Sequence, residues 1–200
     1  AYASDSAAFG AQPNHDVSPI TLGHPGTLPK ANKAVIEYAV KLGLAVGSII
    51  RRENQYARKN YFYADLPKGY QITQDTTPIC IGGSITIKNA EDGTTKTINI
   101  TRIHMEEDAG KSIHDQDPFD TLVDLNRAGI PLLEVVSEPE IRSSAEAYQY
   151  LTELRKLVRY LDICDGNMEE GSMRCDANVS VRLKGSTVFN PVSYTPVSYT

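Results

Sequence analysis

Of the nine carboxylates in residues 101–139, five stand out: Glu106, Glu107, Asp108, Glu134 and Glu138. They sit in two runs, TRIHMEEDAG and PLLEVVSEPE, that both read as strands. A charged side chain seldom occupies such a run unless it is paired or binds a cation. Two neighbouring strands joined by a Gly- and Asp-rich connection can bring these carboxylates together. Hard oxygen ligands of that kind suit magnesium, an ion that often also holds a substrate phosphate. The residues alone leave a solvated acidic rim on an ordinary sheet as an equally open reading.

Two further stretches carry chemistry. In RKNYFYADLPKGYQ, residues 58–71, Arg58, Lys59, Tyr61, Tyr63, Lys68 and Tyr70 interleave cations with aromatics. Cations in that mixture suit phosphate, and the rings suit stacking on a base. A plain strand with snorkelling lysines and half-buried tyrosines is the competing reading. Residues 170–182 alternate strictly: Met173, Cys175, Ala177, Val179 and Val181 against Glu170, Ser172, Arg174, Asp176, Asn178, Ser180 and Arg182. This predicts a long strand with one face on the core; its polar face is either solvated or, with the carboxylates of 106–138, floors a cup for a charged ligand.

The elements that must position these groups follow from periodicity. Residues 31–50 predict a helix, with Ala31, Val35, Tyr38, Leu42, Ala45 and Ile49 as its apolar stripe and Gly43 and Gly47 open to close packing. Ile85 and Ile87 alternate, Glu91-Asp92-Gly93 turns, and Ile98 and Ile100 alternate back, a hairpin. Beyond Thr101 two registers are open. A regular strand puts Arg102, His104, Glu106 and Asp108 on the face of Ile98, whereas a bulge gives the core face to Ile103 and Met105. Residues 121–127 and 130–138 read as two more strands, the second stopped by Pro139. Residues 143–162 read as a helix with Ser143 and Glu146 in a capping box and Ala147, Leu151, Leu154, Val158 and Leu161 as its stripe.

Composition narrows the class. A 200-residue chain that is 40% hydrophobic can build a core. A net charge of −5 and an isoelectric point near 5.4 lack the global signature of a nucleic-acid binder, although a local basic patch is compatible with that total. Cys80, Cys164 and Cys175 lie far apart and read as buried reduced thiols in a cytosolic compartment. No run reaches transmembrane length. The chain does not begin with Met, which suggests a start inside a longer protein, and the repeated PVSYT at its end makes residues 186–200 a tail apart from the domain 1–185.

FGAQPN, HPGTLPKANKAVIEYA, RKNYFYADLPKGYQI, ITRIHMEEDAGK, LVDLNRAGIPLLEVVSEPEIRS and GNMEEGSMRCDANVSVR, in this order, resemble the B subunit of the tRNA-dependent amidotransferases. The resemblance runs from Phe9 to Arg182. It implies an α+β fold, a curved antiparallel sheet flanked by helices and similar to glutamine synthetase. It also implies ATP-dependent amidation of glutamate or aspartate misattached to tRNA. A glutaminase A subunit would supply ammonia, a small C subunit would hold A and B together, and no membrane is involved.

By resemblance, Glu107 and Glu134 are Mg2+ ligands and Arg174 a catalytic residue. Arg102, His104, Glu106 and Asp176 contact phosphate or support the metal, and Lys59, Tyr61, Tyr63 and Lys68 meet ATP or the acceptor end of the tRNA. The family's Gly-Leu-Glu-Val-His strand is absent, so residues 1–185 are expected to be a partial cradle domain without its first strand, inactive alone. The family's paired cysteines are replaced by SDSAAFG and DVSPITLG, so no zinc is expected. A tRNA-binding or scaffold module without catalysis is the rival reading.

Overall fold

The structure, a computed structural model, describes residues 8–89 and 92–181. It divides into two compact units, residues 1–150 and 151–200.

In the first unit, helix α1 spans Lys33–Ala45. The Asn32 side chain caps it by accepting from the Ala34 amide, and Gly47, at φ +74, ends it. This stop, with the Ser48 amide bonded back to Gly43, makes the helix shorter than the predicted 31–50. Its buried face is Val35, Ala39, Leu42 and Gly43, whereas Tyr38 and Ile49 of the expected stripe are exposed. Small residues let the helix approach the sheet closely. A Cβ at Gly43 would stand 2.5 Å from Cys80 Sγ and 2.6 Å from Ile50 Cδ1.

Among the described residues nine strands follow: β1 Ile49–Ile50, β2 Ala57–Asn60, β3 Tyr70–Thr73, β4 Cys80–Ile81, β5 Ser84–Lys88, β6 Thr95–Glu107, β7 Lys111–Ile113, β8 Leu122–Asp124 and β9 Pro131–Ser137. The main sheet is antiparallel, with β1, β4, β6 and β5 in order and β9 pairing β6. Strands β2 and β3 form a separate ribbon, as do β7 and β8. The β5–β6 hairpin is the predicted one, although Ala90 and Glu91 of its turn lie outside the described residues.

The 13-residue strand β6 is the backbone of the fold, and one irregularity in it organises everything else. Its register with β9 shifts between Ile100 and Arg102. Thr101 is the extra residue, held by its hydroxyl on Glu138 Oε1 at 2.7 Å. Ile98 and Ile100 face the core before the bulge, and Ile103 and Met105 after it. The bulged register is therefore the one adopted.

Helix α2 spans Ser144–Tyr160. The Glu146 amide bonds Ser143 Oγ, as a capping box requires, but the Glu146 carboxylate reaches the amide of Arg142 and Lys96 Nζ. In the second unit, Asp162 at φ +54 ends this helix, and Arg155 Nε donates to Gly166 O.

Residues 170–181 correct the sequence reading. Only Ala177 makes a bridge, no strand is formed among the described residues, and Val179 and Val181 are exposed. Alternation prepares a segment to be a strand, but a ladder partner makes it one. Arg182 and the tail 186–200 lie outside the described residues. The thiols also need correction: Cys80 is buried, Cys164 is half-buried and Cys175 is exposed. Burial pushes the Cys80 thiol up to about 11. Among the described residues no helix is long and apolar enough to cross a membrane.

Candidate active site

The bulge at Thr101 decides which carboxylates meet. Past it, His104 and Glu106 lie on the face opposite Ile103 and Met105, and His104 pairs with Glu134 across β6–β9. Carboxylate and imidazole atoms of His104, Glu106 and Glu134 all lie within 4.8 Å of one another. His104 Nε2 is 3.7 Å from Glu106 Oε2 and 3.6 Å from Glu134 Oε2. These separations are long for hydrogen bonds, yet they suit donors that share one cation at about 2.1 Å, which stand about 3–4 Å apart.

The group lines an open cleft of about 360 Å³ with Ala57, Arg58, Lys59, Thr73, Gln74, Asp75 and Arg102. Lys59 Nζ is 3.3 Å from Glu106 Oε1, and the Thr73 hydroxyl donates to Glu106 Oε2 at 2.6 Å. Burial alone would raise the Glu106 carboxyl. The His104 ring, the Thr73 hydroxyl and the Lys59 ammonium together outweigh it and hold the group at about 2. It is therefore ionised at neutral pH. Arg102 Nε and His104 Nδ1 are buried without a protein partner. Buried polar atoms without partners are rare and leave room for a water, an ion or a ligand; Glu107 Oε1, outside the cleft lining, is another.

The other three carboxylates have structural work. Glu138 secures the bulge. Asp108 pairs with Arg127 at 3.2 Å and closes the turn into β9 through the Ile130 and Gly129 backbone. Glu107, expected as a metal ligand, is not part of the cation-competent group. One residue beyond Glu106, its side chain is 1% exposed and ion-paired at 2.5 Å with Lys68, itself 5% exposed. The Ile72 amide also donates to it, and Gln71 Nε2 donates to its carbonyl. Glu106, and not Glu107, lines the cleft.

Lys68 is correspondingly an interior residue and not a surface cation, its ammonium 5.1 Å from the Tyr70 ring. Lys59 is half-exposed at the cleft, Tyr61 and Tyr63 stack edge-on at 6.0 Å, and Tyr63 is exposed. Arg174 and Asp176 belong to residues 151–200 and are exposed there. Sequence reasoning passed over Thr73. The polar run Gln71–Asp75, unusual for a strand, was its signal.

Residues 1–193 match the family described as the GatB/GatE catalytic domain. The chain belongs to that family. Curated relatives of this GatB/GatE domain are named as the B subunit of aspartyl/glutamyl-tRNA(Asn/Gln) amidotransferase. The protein of Bdellovibrio bacteriovorus is 58% identical over 188 residues, which cover 94% of this chain and 39% of the relative. That of Desulfotalea psychrophila is 59% identical over 90% of this chain and 38% of its own. That of Myxococcus xanthus is 56% identical over 92% and 38%. The GatB/GatE domain described here thus spans about two-fifths of the length of these relatives.

Proposed function

We propose that this domain is the carboxylate-activating centre in the B subunit of a tRNA-dependent amidotransferase. Its substrates would be Glu-tRNA(Gln) or Asp-tRNA(Asn). An oxygen of the misattached side-chain carboxylate attacks the γ-phosphorus of ATP and ADP departs. Ammonia released from glutamine by an A subunit then adds at the acyl carbon, phosphate leaves, and the amide is formed. A small C subunit would join A and B. A glutamine-synthetase-like sheet belongs to the same proposal.

The observation that carries this reading is one cleft in which two carboxylates and an imidazole face Arg58, Lys59 and Arg102. A carboxylate is a poor electrophile until phosphorylation gives it a leaving group. That transfer depends on positioning and on neutralising phosphate charge. The donor set fits a hard divalent cation: Glu106 and Glu134 suit Mg2+, and the His104 imidazole admits Mn2+ as well. Bound Mg2+ supplies charge neutralisation and orientation to the ATP phosphates. The low proton affinity of Glu106 keeps it available as a ligand. Lys59, half-exposed on a flexible stem, exchanges Glu106 for a phosphate oxygen, and Arg102 Nε donates to the same group.

The test is ATP cleavage by the full-length protein assembled with its partners. Glu106→Gln and Glu134→Gln should each lower the tRNA-dependent rate on the order of a hundredfold or more. Glutaminase activity measured without tRNA should survive. Near-normal tRNA-dependent rates for both variants at limiting magnesium would sink the proposal.

A further inference from the structure

The loop that leaves β2 carries two aromatic side chains turned almost wholly to solvent. Phe62 is 90% exposed and Tyr63 is 71% exposed. They stand two and three residues beyond Asn60, the end of the strand whose Ala57, Arg58 and Lys59 line the cleft. The loop is not slack. The Tyr61 amide closes it on Gly69 O at 3.1 Å, and Leu66 and Gly69 amides bond back to Tyr63 and Leu66 carbonyls. Leu66 is buried, and Asp65 O accepts from the Gly110 amide at 2.9 Å. Gly69, at φ +71, is the seat of the Phe62 ring: a Cβ there would stand 3.1 Å from Phe62 Cε1. A ring supported from below on a pinned loop, with its other face in water, presents a preformed stacking surface.

Charge indicates what it takes. Residues 51–63 carry Arg51, Arg52, Arg58 and Lys59 against Glu53, a net +3 in a chain whose total is −5. An apolar protein partner has no need of that local excess, whereas a phosphate backbone does. We infer that Phe62, with Tyr63 beside it, stacks the unpaired terminal base of an RNA strand at the approach to the cleft, with Arg58 meeting its phosphates. This rests on the proposed role of the domain in acting on tRNA, and it adds the side chains that grip the single-stranded end.

The experiment uses the full-length protein assembled with its partners and a single-stranded RNA octamer with 2-aminopurine as its 3′-terminal base, whose emission is quenched by stacking. The wild type should quench it. Phe62→Ala and Phe62→Leu should lose the quench and bind about tenfold more weakly, since stacking on an aromatic face contributes about that much per base or more. Phe62→Tyr and Phe62→Trp should retain both, and none of the four should shift the melting temperature. Arg58→Ala should flatten the salt dependence by about 0.7 in log–log slope for each phosphate that Arg58 neutralises in the wild type. Unchanged quenching and affinity in a Phe62→Ala, Tyr63→Ala double variant would overturn the inference while leaving RNA binding intact. A wild type that binds neither the octamer nor tRNA would overturn the RNA reading together with it. Variants that bind the octamer normally but dissociate from a partner protein on size-exclusion would show a protein interface instead, and would also overturn it.

Discussion

Glu106 opens into a cleft with His104, Glu134 and Lys59, whereas Glu107, the next residue on β6, is enclosed by Lys68, Gln71 and the Ile72 amide. The first is ionised beside polar atoms that still lack partners. The second pairs with a single buried cation and joins the β2–β3 ribbon to the main sheet, its own Oε1 left without a partner. Two identical side chains thus do different work because a strand sends neighbours to opposite sides. The bulge at Thr101 selects which one faces the cleft.

The sharpest break in that comparison is thermodynamic. Glu107→Ala or Lys68→Ala leaves its partner charged and buried, and should cost about 3–5 kcal/mol of stability. Replacing both with Leu and Met should restore most of it, since paired removal leaves no stranded charge. Chemical denaturation of the four proteins gives the cycle directly. A single-variant loss below about 1 kcal/mol would mean that the pair is not an interior lock.

The interior side should also resist added volume. Gly43→Ala would press on Cys80 Sγ and Ile50 Cδ1, and should cost about 1–3 kcal/mol by thermal unfolding.

The cleft side should respond to acid instead. The folded protein holds Glu106 at about 2, below the ordinary value of 4.5. The unfolded chain therefore takes up this proton first. The stabilisation is fully present above about pH 4.5 and fades as pH falls towards 2. The stability difference between the wild type and Glu106→Gln should shrink over that interval. A difference that stays constant with pH would contradict the assignment.

The smallest effect is expected for Lys59→Ala. Its side chain is half-exposed and its ion pair partly solvated, so unfolding should shift by about 0.5 kcal/mol or less while nucleotide use falls.

The first unit was legible where local rules act. The β5–β6 hairpin, the β6–β9 carboxylate strands and the Ser143 cap all follow from periodicity and turn residues. The register beyond Thr101 was open in the sequence because it depends on the hydrogen bond between Thr101 and Glu138, 37 residues apart. Lys68 looked like a surface cation since composition does not reveal a buried partner 39 residues away. Glu107 was assigned to the metal by resemblance; in the structure strand parity, which needs the bulge, turns Glu107 towards Lys68 and Glu106 into the cleft. Residues 170–181 failed for the complementary reason. Their alternation is as regular as that of β9, yet among the described residues they have no ladder.

Cation binding measures the central claim most directly. Electron paramagnetic resonance counts free against bound Mn2+ in the full-length protein, without ATP or tRNA. Glu106→Gln and Glu134→Gln should each weaken Mn2+ binding about tenfold or more, as loss of a charged ligand does. Glu107→Gln, kept below its unfolding temperature, should bind like the wild type. Loss of binding in Glu107→Gln with retention in Glu106→Gln would contradict the account.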